Sequence, residues 1–387
     1  MKSVFKVAVM IPRIGYGQEQ LLLGIYRYAR PLKPWDFLTL DMGVPAYENA
    51  RNWKPDGIIG FALRKELAQA AKAIGVPFVN IYGSTPLCKL PQVGYNDRSM
   101  GNLAAAHFLE NGFEHFAYFG LSNDPGSVSR GKAFMESLGK HGAAVDFFDP
   151  EKDYPDVKID GTLIDAIDQK LHGWLSTLPR PVAVFCCDDL RAMMVSDACR
   201  HLNYHVPDEI AILGVGDHHL TCFESFPPLS SIRTPWEKAG YMAAEMLEQL
   251  IRGKPLKESA IYLEPEGIAV RQSTDTMAIQ DRRIAAAVRY IRENAHRQID
   301  VADVAKFSGM NRRYLERRFH HFLNRSPFQE IRRVQIDLAQ TLLRETNQTV
   351  EAIAEQTGFG GRTRLAVEFS KKTGQSPAAY RKQFRIR

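Results

Sequence analysis

Cysteine is scarce in this sequence, and the few present are poorly spaced for chemistry. Cys88, Cys186, Cys187, Cys199 and Cys222 form an odd set, two of them adjacent, with no CxxC. That disfavours a disulfide framework or a zinc site. Small buried thiols in a reducing compartment are expected instead. Long apolar runs are also missing. No stretch reaches the ~18 residues of a membrane span. The opening MKSVFKVAVMIPRIGYG has no small-residue cleavage site and reads as a buried first strand. A cytoplasmic protein is expected. No GxSxG surrounds Ser127 or Ser129, and no nucleophile–base pair stands at a recognisable spacing, so no enzyme is predicted. The glycine loop IGYGQEQ is incomplete. Gly15 and Gly17 are there, but Gln20 replaces the glycine that would let a helix pack close to its strand. No cofactor is expected, and no metal, since His218–His219 reads as loop surface.

What the sequence does have is unevenly placed charge. From Asp281 to the end there are 22 Lys+Arg against 11 Asp+Glu, a net charge of +11, while the first 280 residues carry −5. A basic C-terminal module that meets a polyanion, on a mildly acidic body, is the physical reading.

The body alternates short apolar runs with helical patterns. VFKVAVMI (Val4–Ile11), DFLTLD, DGIIGFA, PFVNIYG, HFAYFG, AAVDFFD, VAVFCCDD and EIAILGVGD read as strands. Glu19–Arg30 and Glu66–Gly75 read as helices between strands. Continuous apolar strands separated by helices imply parallel sheets covered on both faces. The strands are too many for one small unit, so two α/β lobes with a cleft between them are expected.

The C-terminal quarter writes one phrase twice. Val301, Val304, Ala305 and Gly309 fall on Val350, Ile353, Ala354 and Gly358. After one inserted residue, Leu315, Phe319, Ser326 and Pro327 fall on Leu365, Phe369, Ser376 and Pro377. Each copy reads as a helix, a glycine turn and a second helix. Asp300 is a plausible cap for the first helix, and Asn311 for the second helix of the first copy. The second helix of such a unit can lie in a DNA major groove. Its outward residues here are Arg312, Arg313, Arg317 and Arg318 in one copy. In the other they are Arg362, Thr363, Arg364, Lys371 and Lys372. Arginine can reach guanine by a bidentate contact, and lysine near a helix end more often meets phosphate. Between the copies, Phe328–Thr346 holds no glycine or proline, and Ile331, Val334, Leu338 and Leu342 form an apolar stripe. Such a rod spans roughly 28 Å, approaching the ~34 Å of one DNA turn. Ile284, Val288, Ile291 and Ala295 mark a packing helix upstream.

The body from Val4 to Thr274 resembles the LacI-type regulators and type I periplasmic sugar-binding proteins. The likeness rests on IDAIDQKLHGWLSTLPRPVAVFCCDDLRAMMVSDACRHLNYHVPDEIAILGVGDHHL, PPLSSIRTPWEKAGYMAAEML and IAVRQST. It implies a cleft for a small polar ligand, usually a sugar. Asp188 and Asp189 match the family's Asn/Asp-Asp, Asp217 its strand-ending aspartate, and Arg130 an arginine that clasps hydroxyls. Tyr16, in the first loop, can stack on a sugar's C–H face. Asp189 is equally suited to cap the helix after it, and Arg130 has the alternative of an exposed helix charge.

Ile284 to Phe384 resembles the AraC/XylS regulators, through Leu315-x-Arg317-x-Phe319, SPFQEIRR and TGFGGRTRLAVEFSKKTGQSPAAYRKQF. Gly360-Gly361 departs from that family's polar cap before the second recognition helix. A LacI-like sensor followed by an AraC-type reader is the order of the xylose-operon regulators, and the chain resembles a distant member of that group. The fold expected is multidomain: a two-lobed α/β sensor over 1–274, a linker over 275–283, and an all-α double helix-turn-helix domain over 284–387. The resemblance implies operator DNA and a sugar effector, D-xylose or a related pentose, as partners. It implies a homodimer, contact with RNA polymerase, activation of transcription and no membrane. A sugar-binding or transport protein with an incidental basic tail, or a regulator responding to a different sugar, is the alternative.

Overall fold

The computed structural model describes residues 4–11, 16–30, 35–40, 44–62, 65–81, 90–150, 161–275, 281–323 and 325–384. They form two compact units, Met1–Thr276 and Met277–Arg387.

The first unit holds two sheets. One contains β1 (Lys6–Met10), β2 (Asp36–Leu40), β3 (Gly57–Gly60), β4 (Phe78–Asn80), β5 (Gln92–Tyr95) and β11 (Ala260–Leu263), in the order β11-β5-β4-β3-β1-β2. All its pairings are parallel. The other contains β6 (His115–Phe119), β7 (Val145–Phe148), β8 (Val182–Cys186), β9 (Ile210–Val215), β10 (Ser230–Ile232) and β12 (Ile268–Ala269), in the order β12-β10-β9-β8-β6-β7. Only β12 runs antiparallel, against β10. The central strands GIIG, VAVFC and IAILGV are buried along their whole length, which is why they read as unbroken apolar runs.

Helices α1 (Tyr16–Ala29), α2 (Val44–Trp53), α3 (Lys65–Ile74), α4 (Asp97–Glu110), α5 (Pro125–Gly139), α6 (Gly161–Thr177), α7 (Asp189–His201), α8 (His219–Glu224) and α9 (Trp236–Ile251) cover these sheets. Among the described elements the chain changes lobe three times: from β5 to α4, from β10 to α9, and from β11 to β12. At the second change α9 docks on α1. A Cβ at Gly24 would lie 2.0 Å from the Glu237 carbonyl oxygen, and one at Gly240 would lie 2.0 Å from that of Leu21. The two backbones touch because neither position carries a side chain.

The second unit is helical: α10 (Arg282–Asn294), α11 (Val301–Ser308), α12 (Arg312–Leu323), α13 (Pro327–Glu345), α14 (Val350–Gln356), α15 (Arg362–Thr373) and α16 (Pro377–Phe384). Caps set the boundaries. Asp300 and Asp303 form a capping box on α11, and Ser326 and Gln329 form one on α13. Asn311 caps α12 through the Tyr314 amide at 2.8 Å. Gly309 closes α11 in the left-handed region at φ +63°. One core gathers α10, α11 and α12 around Ile291, Leu315 and Phe319. A second gathers α14 and α15 around Ile353, Leu365 and Phe369.

Helix α13 serves both cores. Its buried face runs through Ile331, Gln335, Ile336, Ala339 and Leu343, whereas Val334, Leu338 and Leu342 sit half-buried beside it. The expected stripe was therefore displaced around the helix by neighbours on two sides. Of the two expected linker boundaries, the second also shifts. Ser273 and Thr274 are buried, with Ser273 bonded to the Ile212 carbonyl at 2.6 Å. At the other end, Asp281 caps α10, so residues 282 and 283 belong to a helix.

Candidate functional site

In the first unit the C-terminal ends of β6, β8, β9 and β10 bring polar side chains together near the lobe changes. Arg130 on α5 is mostly buried, not an exposed helix charge. Its Nη1 donates to Oδ1 of Asp97 at 2.5 Å, and its Nη2 lies 3.7 Å from Oδ2 of Asp124. Asp97 opens α4 and is 2% exposed. Its Oδ2 is buried and has no hydrogen-bond partner among the described residues, and the same holds for Oγ1 of Thr234 at the second lobe change. Buried polar atoms left in this state call for a ligand or water to complete them.

The aspartates after β8 and β9 divide the work. Asp188 caps α7, accepting from the Arg191 amide at 2.8 Å and from Arg191 Nη1 at 3.1 Å. Asp189 is therefore not the cap. It is 3% exposed and accepts from Ser231 Oγ at 2.5 Å and the His218 amide at 2.7 Å. Burial pushes its pKa up to about 7. A Cβ at Gly214 would lie 2.2 Å from its Oδ1, so the carboxyl fills the space that glycine leaves. Asp189 thus ties the ends of β8, β9 and β10 together. Asp217 has φ +53°. Its amide donates to Ser231 Oγ at 2.9 Å, and its Oδ1 accepts from Arg271 Nη2 at 2.6 Å. Arg233 Nε stands 3.8 Å from its other oxygen.

A cleft of about 480 Å³ opens here, lined by Gln20, Gly216, Asp217, Arg233, Thr234 and Trp236 among others. Trp236 donates from Nε1 to the Gly216 carbonyl at 2.9 Å and meets Tyr95 edge-on at 4.9 Å. Gly17 lies flat against it, since a Cβ there would fall 2.8 Å from the indole. Tyr16 starts α1, and its side chain lies outside the described residues, as does Cys88. Cys186, Cys187, Cys199 and Cys222 are buried free thiols. His218 caps α8 through Nδ1, and its pKa is lowered chiefly by burial. Among the described residues no group of three His, Cys, Asp or Glu side chains could hold a metal ion.

Sequence reasoning missed Asp97, Thr234, Trp236 and Arg271. A signal existed for Asp97, because YND ends β5 as CCDD ends β8. Arg271 gave none. It reaches Asp217 only because β12 folds back beside β10.

In the second unit α12 and α15 carry the predicted outward residues. Arg313, Arg317, Arg362, Thr363, Arg364, Lys371 and Lys372 are exposed. Arg312 is exposed too and pairs with Glu316 at 2.9 Å. Arg318 departs from expectation. Its guanidinium turns inward to Asp281, at 2.7 Å, and is engaged within the unit. The first turn of α15 has Gly361 as its cap, with no side-chain bond to it. Beneath α12, Glu330 is fully buried against Arg333 and Arg325. Burial alone would push its pKa up, but the bonds and charge of Arg333 and Arg325 outweigh it and hold the carboxyl below its usual range.

Residues 105–274 match the periplasmic binding protein-like domain, and residues 304–383 match a helix-turn-helix domain. The chain joins a two-lobed periplasmic binding protein-like α/β domain to a helical helix-turn-helix domain. Over its length it is similar to the xylose operon regulatory protein of Haemophilus influenzae, with 25% identity covering 98% of this chain and 99% of that one. The protein of the same description from Escherichia coli is 26% identical, covering 94% and 93%. Among solved structures, a xylose-binding transcription activator superposes with a TM-score of 0.78 at 23% identity, over 99% of both chains. The sensor part alone resembles a periplasmic binding protein/LacI regulator from Alkaliphilus metalliredigens complexed with D-xylulofuranose, with a TM-score of 0.58 at 16% identity, covering 70% and 99%. No helix among the described residues is long and apolar enough to cross a membrane.

Proposed function

We propose that the chain is a sugar-responsive transcription regulator that grips duplex DNA with both helix-turn-helix copies. Its effector is D-xylose or a related pentose, and it activates genes for that sugar's use. The carrying observation is the pairing, in one chain, of a polar cleft lined by Asp217, Arg233, Thr234 and Trp236 with a duplicated basic reader. Asp97 Oδ2 accepts from a sugar hydroxyl, Thr234 Oγ1 completes its bonding on another, and Trp236 offers a face to the ring. Arg130 holds the other oxygen of Asp97 and so aims the carboxyl group. Asp188, Asp189 and Asp217 shape the strand ends around it. The relatives' description as xylose operon regulators supports the pentose. The protein works as a cytoplasmic homodimer, contacts RNA polymerase when it activates, and is not an enzyme. A transport role leaves the repeated recognition helices without a purpose.

The test is thermal unfolding of the full chain with a panel of sugars, followed by DNA binding with and without the best one. A pentose at a hundredfold excess over its dissociation constant should stabilise the sensor by about 2.7 kcal/mol. No shift with any pentose rejects the sensor assignment, and no specific duplex binding rejects the reader assignment.

A further inference from the structure

The two recognition helices are copies whose outward faces have diverged. Laying Leu315 and Phe319 of α12 on Leu365 and Phe369 of α15 puts Arg313 on Thr363 and Arg317 on Val367. Those leucines and phenylalanines are fully buried in both copies. The matched pairs therefore stand at the same places on the two outer faces, one turn apart, and all four residues are exposed. On α12, Arg312 is held by Glu316 and Arg318 by Asp281. Besides the ion-paired Arg312, the guanidinium groups it presents outward are those of Arg313 and Arg317.

Helix α15 presents something else. Val367 is 61% exposed in the middle of a helix that carries Arg362 and Arg364 at one end and Lys371 and Lys372 at the other. The basic ends fit a phosphate backbone, and the apolar centre does not fit open water. Threonine and valine both present methyl groups. In a major groove the matching feature is the C5-methyl of thymine, whereas an arginine fork matches O6 and N7 of guanine.

We propose that Val367, with Thr363, recognises thymine methyl groups, while Arg313 and Arg317 recognise guanine. The operator is then chemically asymmetric, with a guanine-bearing block under α12 and a thymine-bearing block under α15. This rests on the DNA-binding reading above and adds which bases each copy selects.

The full-length chain is first used to select a duplex from a random library, with and without D-xylose. Affinity for that duplex is then measured with single-group base changes. Deoxyuridine in place of thymine deletes only the C5-methyl, and 7-deazaguanine in place of guanine deletes only the N7 acceptor. At one or two thymines, deoxyuridine should weaken the wild type roughly fourfold, the worth of one buried methyl at about 0.8 kcal/mol. Val367→Ala should bind the thymine duplex more weakly and be indifferent to deoxyuridine at one of those positions. Thr363→Ser, which removes a single methyl, should lose sensitivity at a neighbouring one. In the other block, 7-deazaguanine should weaken the wild type and leave Arg317→Ala unaffected. If no thymine is sensitive, or if wild type and Val367→Ala respond equally, the inference is overturned while DNA recognition stands. If the library yields no preferred sequence, both fall.

Discussion

Asp97, Asp188 and Asp189 follow strand ends in similar sequence settings, and they do different work. Asp188 spends its oxygens on a helix end, Asp189 on Ser231 and His218, and Asp97 keeps one oxygen unspent. Asp97→Asn turns that acceptor and its charge into an amide. A charge-assisted bond is worth about 1.5–3 kcal/mol, so sugar affinity should fall at least tenfold, as isothermal titration would measure. Asp189 gives a pH signature. Its pKa rises on folding from 3.8 to about 7. The folded sensor therefore binds more protons than the unfolded chain between those values. Stability contributed by Asp189 is complete below pH 4 and lost as pH rises through 7, by at most about 1.4 kcal/mol per pH unit. Compared with Asp189→Asn, the wild type should lose melting temperature from pH 4 to 7 and run parallel above it. An unchanged difference across that range would show that Asp189 carries no extra proton in the folded sensor.

At the scale of elements, backbone approach and buried charge decide the tolerances. Gly240→Ala drives a methyl into the Leu21 carbonyl. Overpacking of this kind costs about 1–3 kcal/mol, visible as a lower urea midpoint for the first unit. Glu330→Gln removes the buried carboxylate that Arg325 and Arg333 share, and Arg333 keeps its bond to Asp337. The second unit should lose about 3 kcal/mol, read from the same denaturation curve. Elements of this kind were largely legible in the sequence. The alternation of apolar runs and helices marks the two sheets, and the repeat marks both helix-turn-helix copies, because each signal is local. What stayed hidden depends on contacts far apart in the chain. The stripe on α13 was misplaced because two cores claim that helix. Arg318 reads as a DNA contact until Asp281, far upstream, is seen beside it. Asp189 reads as a cap or ligand contact until Gly214 and Ser231 are seen to enclose it.

For the whole molecule, binding at one unit must be felt at the other to the extent that the two are coupled. If D-xylose raises operator affinity by some factor, operator DNA raises xylose affinity by the same factor. Paired titrations check this, and unequal factors would mean that assembly changes during one of them. The basic reader also predicts steep salt dependence. Six or more phosphate contacts lower affinity by about a thousandfold between 50 and 200 mM salt, and a flat response would exclude groove binding by both copies. The three lobe changes bear on synthesis as well as on sensing. The first sheet lacks its outer strand β11 until Leu263 has been made. A nascent chain therefore shows the bare edge of β5 through translation of β6 to β10 of the second lobe, and such an edge invites pairing with other chains. Neither lobe can be excised as one continuous piece, so recombination has to exchange this sensor whole.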